Sequence, residues 1–205
     1  MATIGVVVSW EYAGMSRLPL QTREALEDDG QEVWDSITAS RGSIVTDDGA
    51  LMGPFNAWVT APGIGGRLAE LGAALRFQSS IERRLLEVAI ITVGAHWKAE
   101  FEWWAHSRMA LQHGVSAGAV GAIAQGTTPE LPDDERIVHA VASQLVQRGH
   151  VDEPTYNAAH QLLGDRGVVE LVTLCGYYTL VSFSLNAFDV PLPPGEEPTW
   201  PGAVA

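Results

Sequence analysis

Apolar residues recur every three to four positions along most of this 205-residue chain. That is the repeat of a helix that buries one face. Residues 17–28, with Pro19 and mixed charges, read as an arm. Val33, Trp34 and Ile37 predict a helix over 30–40, closed at Arg41-Gly42 where glycine supplies a left-handed cap. A short helix over 54–59 is stopped by Pro62, and Ile64, Leu68, Leu71 and Leu75 mark the next over 63–77. Residues 79–93 follow, capped by Ser79 or Ser80 and broken at Gly94, and then 99–110, ended by Gly114. Ser116 caps 117–124, and a stripe from Ile137 to Val146 marks 133–149. Asp152 precedes 154–163, with Pro154 early enough for its missing N–H to be harmless. Leu171, Leu174, Tyr178, Val181 and Leu185 define a last helix over 167–188. Alternation over strand length is absent. The expectation is an all-α bundle of about eight helices joined by short connections, with extended N- and C-terminal arms.

Composition adds boundaries. An apolar share of 46% with 18% charged residues is globular. The length suits one domain, expected over 15–193, with 1–14 as a disordered extension before Met15 and 194–205 as an extended tail. Residues 190–205 hold five of the eleven prolines. A formal charge of −13 disfavours nucleic acid and anionic lipid as partners, and a small anionic substrate would need local positive charge. Cys175 is the single cysteine, so no internal disulfide forms. The N-terminus lacks a basic segment before its apolar run, and no apolar stretch approaches the roughly 20 residues that span a bilayer. A cytoplasmic protein is expected.

Candidate chemistry concentrates in two predicted helices. Glu102 and His106 are four apart and share a face with Ala99, Met109 and Ala110 close by. Glu87 interrupts the apolar run Leu85–Val93, where a carboxylate is costly unless paired or protonated. It could face solvent, pair with Arg83 or Arg84, sit at a subunit seam, or aim across the turn at Glu102 and His106. Two helices joined by a short turn lie antiparallel, which permits the last arrangement. His96, Glu100, Glu102 and His106 form a string with metal-ligand spacing, but Glu100 points about 160° away from Glu102 and His106 on a helix. Glu87, Glu102 and His106 could instead form a three-ligand site. Trp97, Trp103 and Trp104 fit a core or a subunit interface.

Two blocks carry a family resemblance. Leu86-Glu87-Val88-Ala89-Ile90, Phe101-Glu102-Trp103-Trp104-Ala105-His106, Ala110 and Gly114-Val115-Ser116 make the first. Val169-Glu170-Leu171, Gly176-Tyr177-Tyr178 and Asn186-Ala187-Phe188-Asp189-Val190-Pro191-Leu192-Pro193 make the second. Together they resemble the carboxymuconolactone decarboxylase family, which shares its fold with the AhpD-type alkylhydroperoxidases. The resemblance implies an AhpD-like helical domain, Glu87 as a buried glutamate and His106 as a buried histidine. The peroxidase branch needs two cysteines before that histidine. Ala99 and Glu102 stand there instead, so thiol peroxidase activity is not expected. The glutamate–tryptophan–histidine pattern of the decarboxylase branch fits Glu102, Trp103 and His106.

That branch implies a lyase, without cofactor or metal, acting on a carboxylated lactone of aromatic-compound breakdown. Decarboxylation leaves electrons that a carbonyl must hold, and a proton must then reach carbon. His106 is the candidate acid/base because its ordinary pKa of about 6.5 lies nearest working pH. Glu102 would orient it or share its proton, and Glu87 would be the second carboxylate. Arg83, Arg84 and Lys98 are candidates for holding the substrate carboxylate. Trp103 and Tyr178 complete the substrate-binding set, with Tyr178 either an oxyanion donor or a core tyrosine. Family members form trimers or hexamers, so a homo-oligomer is expected. The competing reading is a non-catalytic helical oligomer that binds a small molecule or a protein.

Overall fold

The structure is a computed structural model that describes residues 16–41 and 44–202. The extension expected over 1–14 and the cap expected at Gly42 lie outside the described residues. Among the described residues there are eight α-helices and one 3-10 turn, Arg23–Ala25: α1 Asp28–Arg41, α2 Phe55–Thr60, α3 Pro62–Phe77, α4 Arg83–Trp97, α5 Glu100–Gln112, α6 Ala117–Ala124, α7 Asp133–Arg148 and α8 Glu153–Ala187. The turn-rich segment before α2 carries only isolated bridges, Thr22 with Ala50 and Val45 with Leu51. The all-α expectation holds.

α4 is the axis of the fold. Every residue from Leu85 to Gly94 is buried, as an all-round apolar helix requires. It packs against α5, α7 and α8, while α1, α2 and α3 form a sub-cluster that meets α8 through α3. Ile37, Ile90, Ile91, Leu171 and Leu174 are among the fully buried side chains at the centre.

Local chemistry explains two departures from the expected boundaries. Gly94 does not break α4. It stays helical and buried, and the chain reverses instead at Lys98, which adopts the left-handed conformation (φ 49°). The Lys98 N–H donates to Ala95 O and the Ala99 N–H to Gly94 O, closing the α4 C-terminus. Ser79 and Ser80 are not the cap of α4, which starts at Arg83 behind Glu82. Glu170 of α8 takes them instead, accepting from Ser79 Oγ at 2.8 Å and Ser80 N at 2.7 Å. These bonds and the Arg166 guanidinium outweigh burial and hold the Glu170 carboxyl down near about 2. The separation expected between 154–163 and 167–188 is present: Gly164, at φ 66° and ψ 178°, is not helical and divides α8 into two arms, 153–163 and 165–187. The expected caps at Ser116 and Asp152 are present, accepting from Ala119 N and Thr155 N.

α8 also corrects the reading that no stretch approaches membrane-spanning length. By length and composition alone it is apolar enough to cross a bilayer, with mean hydropathy 1.5 over an 18-residue window. Half of that window is buried inside the fold, as in the core helix of a bundle. Beyond it the C-terminal tail is held against α5. Glu100 accepts from the N–H groups of Thr199 and Trp200, and Arg108 donates to Glu196 at 2.7 Å.

Gly65 tests the α2–α3 contact. A Cβ there would lie 2.1 Å from the Trp58 carbonyl oxygen, a backbone atom that cannot rotate away. Gly65→Ala is expected to lower the unfolding free energy by about 2 kcal/mol or more. Gly121→Ala, which meets nothing within 4 Å, is expected to raise it by about 0.5 kcal/mol through helix propensity. Denaturant titration of both variants checks the pair.

Candidate active site

α4 and α5 run antiparallel from the Lys98 turn, and this brings Glu87, Glu102 and His106 together. All three are buried: Glu87 is 0% exposed, Glu102 4% and His106 5%. The imidazole lies between the carboxylates. His106 Nδ1 is 2.7 Å from Glu87 Oε2, and His106 Nε2 is 3.0 Å from Glu102 Oε1. The two contacts differ in kind. The first is an aligned hydrogen bond. In the second the acceptor is off the N–H direction, and Glu102 Oε1 has no hydrogen-bond partner.

The electrostatics separate the two acids. Burial alone would raise the Glu87 carboxyl. The charge and hydrogen bond of His106, with the Arg83 and Arg76 guanidiniums, outweigh it and hold Glu87 below its ordinary 4.5. Glu87 is therefore a carboxylate, and His106 Nδ1–H donates to it. Burial of Glu102 prevails over the His106 and Arg76 charges that oppose it, and nearby Glu87 adds to the rise, so its carboxyl is pushed up. One acid fixes the ring and its tautomer. The other is easily protonated beside the free ring nitrogen, where a proton can pass.

The two ring nitrogens address different carboxylates, so the three groups do not converge on a point where a metal would sit. Among the described residues, no group of three or more His, Cys, Asp and Glu side chains is arranged for a metal ion. The longer string also disperses. Glu100 is committed to the tail, and His96 is exposed against Trp97.

The other sequence candidates separate. Arg83 is in the site, with Nη2 2.5 Å from Glu87 Oε1 one helical turn away. Tyr178 is in it too, its ring edge-on to His106 at 5.2 Å between centroids, and burial pushes its hydroxyl pKa up. Arg84 is elsewhere. It points to α7, pairing with Asp134 at 2.6 Å and with buried Glu135, so it joins helices rather than facing the trio. Lys98 is at the far end of α4, where with His96, Thr92, His139 and Gln147 it lines a separate cleft of about 630 Å³. Trp103 packs against Trp200 of the tail, 5.2 Å between centroids. Arg76, at the end of α3, escaped the sequence reading. Its charge acts on both Glu87 and Glu102, but it lies in a separate predicted helix with no fixed spacing to them.

The opposed shifts of the acids give opposite dependences of stability on pH. A carboxyl raised in the folded state contributes most below its unfolded pKa and loses that contribution as pH rises through its folded pKa. Glu102→Gln is therefore expected to stabilise the fold at pH 7, with the gain vanishing as pH falls toward 4.5. Glu87 is lowered, so its contribution is present above 4.5 and is lost in acid. Glu87→Gln is expected to destabilise at pH 7 by about 3 kcal/mol, leaving His106 and Arg83 unpaired, and by less in acid. Urea titrations of both variants from pH 4 to 8 read the two slopes.

No protein-family model matches the chain, and no curated protein matches it. Solved structures do. One is an uncharacterised peroxidase-related protein from Ralstonia eutropha, described as an alkylhydroperoxidase AhpD core; it is similar over 88% of this chain and 93% of its own, at TM-score 0.71 and 15% identity. Another is a protein of unknown function from Agrobacterium tumefaciens, a candidate AhpD-type antioxidant-defence protein; it is similar over 69% of this chain and 98% of its own, at TM-score 0.59 and 12% identity. At these identities the likeness shows the fold, and the fold is an AhpD-like helical bundle.

Proposed function

We propose that this chain is a cofactor-independent acid–base enzyme acting on a small carboxylated lactone, as its resemblance to the carboxymuconolactone decarboxylases suggests. One observation carries the reading. A single buried imidazole is hydrogen-bonded to one carboxylate and faces a second acid of raised pKa. In the reaction the bond between the carboxylate carbon and the ring carbon breaks, CO2 leaves, and the electron pair moves into the conjugated carbonyl. His106 Nε2 then delivers a proton to carbon and is reloaded from Glu102. Glu87 stays ionised and stabilises the charged ring.

Sulfur chemistry has little support. Cys175 is 2% exposed among the core leucines of α8, and burial pushes its thiol up to about 12, so it is not a thiolate near neutral pH. The peroxidase wording attached to the Ralstonia protein describes that protein.

We also propose that the working form is a homo-oligomer assembled through α8. Val169, Val172, Leu180 and Phe183 are 66%, 42%, 38% and 50% exposed. Their spacing puts them along one side of the helix, beside a shallow apolar groove at Gly176 and Ala187. This surface also suits the non-catalytic alternative, a helical assembly that binds a small molecule or a protein.

Two measurements test these readings. With carboxylated γ-lactones as substrates and CO2 release as the readout, His106→Gln is expected to lose about 10²- to 10⁴-fold in kcat with its circular dichroism unchanged. Cys175→Ser is expected to keep full turnover. A His106→Gln variant as active as the parent removes the acid–base reading and leaves the binding alternative. In sedimentation, the Val172→Glu/Phe183→Glu double variant is expected to lower the particle mass; an unchanged mass places the interface elsewhere.

A further inference from the structure

Two arginines act on the Glu87–Glu102–His106 cluster, and one of them, Arg76, has a donor edge that is largely unspent. Arg83 Nη2 and Arg76 Nη2 approach the same atom, the Met109 sulfur, at 3.8 and 3.5 Å. Arg83 Nη1 donates to the Arg76 carbonyl at 2.9 Å, which ties the end of α3 to the start of α4. Arg83 is neutralised by Glu87. Arg76 is not: among the described residues its guanidinium forms no ion pair. Its guanidinium donates to the thioether and lies over the Phe77 ring, 5.3 Å from centroid to Cζ, and its charge also reaches Glu87, Glu102, Arg41, Tyr177 and Tyr178. Its Nε is buried with no hydrogen-bond partner.

That is an unstable account for a cation. A thioether is a weak acceptor, and a buried N–H without a partner costs about 1–3 kcal/mol. A second guanidinium at the same sulfur adds like-charge repulsion. The covalent geometry of arginine sharpens the point. Nε–H and Nη2–H lie on one edge of the guanidinium, and this edge is the fork that a carboxylate accepts from with both oxygens. On Arg76 one prong is empty and the other touches only sulfur. Met109 lies on α5 one turn beyond His106, and its unbranched side chain can move aside without disturbing the backbone.

We infer that the Nε–Nη2 edge of Arg76, with Arg83 beside it and Met109 as a displaceable plug, is a binding site for the carboxylate of a small anionic ligand. Only the choice of a lactone rests on the proposed acid–base function; the cationic site does not. A carboxylate seated there would lie near the Glu87–Glu102–His106 cluster. Glu87 and Glu102 both feel the Arg76 charge, which agrees with that placement. In a chain of net charge −13, a cation without a direct ion pair beside a buried cluster also gives an anion a local well to enter.

The test is binding, so it needs no turnover. The full chain is titrated with 5-oxotetrahydrofuran-2-carboxylate by calorimetry, with neutral γ-butyrolactone as the comparison. Arg76→Met is expected to weaken the carboxylate by about tenfold or more, and Arg76→Lys by less, because it keeps the charge and loses the fork. Arg108→Ala, whose guanidinium serves Glu196 and the Trp104 ring, is expected to bind as the parent does. Binding of the neutral lactone is expected to be indifferent to Arg76. If Arg76→Met does not fold, Arg76→Lys decides. No measurable carboxylate binding by the parent, or equal binding by parent and folded Arg76 variants, overturns the inference. Arg76-dependent binding without turnover of any lactone removes the acid–base function and leaves the site. His106-dependent turnover with an Arg76-independent KM does the reverse.

Discussion

The structure depends on one costly act: three ionisable side chains leave water together between α4 and α5. An isolated carboxylate at the position of Glu87, with no exposed surface, would carry a desolvation cost of several kcal/mol. The cost is met by arrangement rather than by number. Glu87 has two opposite partners, an aligned ring N–H and a guanidinium, and stays ionised. Glu102 has no aligned partner and tends toward its neutral form. The same low polarity thus leaves one acid charged and pushes the other toward its neutral form.

The rest of the fold keeps that arrangement dry and rigid. α4 is surrounded by α5, α7 and α8, so the backbone bearing Glu87 has no freedom to carry it to solvent. Tyr178 fills the space against the imidazole from α8. Tyr177, beside it, reaches α3 only because position 72 has no side chain; a Cβ on Gly72 would lie 2.1 Å from the tyrosine oxygen. Arg84 and buried Glu135 form a half-buried ion pair that ties α4 to α7. One face of α4 therefore holds a neutralised structural pair, and another holds a cluster whose charges are deliberately uneven.

The helices were legible because burial imposes a period of 3.6 and the chain keeps it. Glu87, Glu102 and His106 were legible for a related reason: charge inside an apolar run is conspicuous. The failures share a cause as well. Gly94 looks like a breaker to a local rule, but it stays helical within a fully packed turn and the chain reverses only at Lys98. Ser79 and Ser80 carry a cap signal that a glutamate ninety positions away takes over. Arg83 and Arg84 are adjacent in sequence and equivalent to any local reading. On a helix they diverge by about 100°, so one meets Glu87 and the other meets α7. Arg76 was missed because its partners lie in two other helices, and no spacing rule reaches across them.

Positions 99 and 102 sharpen what the acid–base reading asks of this fold. The resemblance assigns both to thiols in the peroxidase branch, whose chemistry moves electrons through sulfur. Here Ala99 is fully buried and inert, and Glu102 presents an oxygen 3.0 Å from His106 Nε2. A carboxyl at that place cannot take up or release electrons, but it can hold a proton against a ring nitrogen. On the proposed acid–base reading the scaffold need change little, because a buried glutamate still orients the histidine and a second group still stands within reach of its other nitrogen. What must change is the entrance: a carboxylate bound for His106 needs a cation that Glu87 has not already neutralised. Arg76 is the cation inferred for that place, and its buried Nε without a hydrogen-bond partner is the feature that a purely structural role for the cluster leaves without a reason.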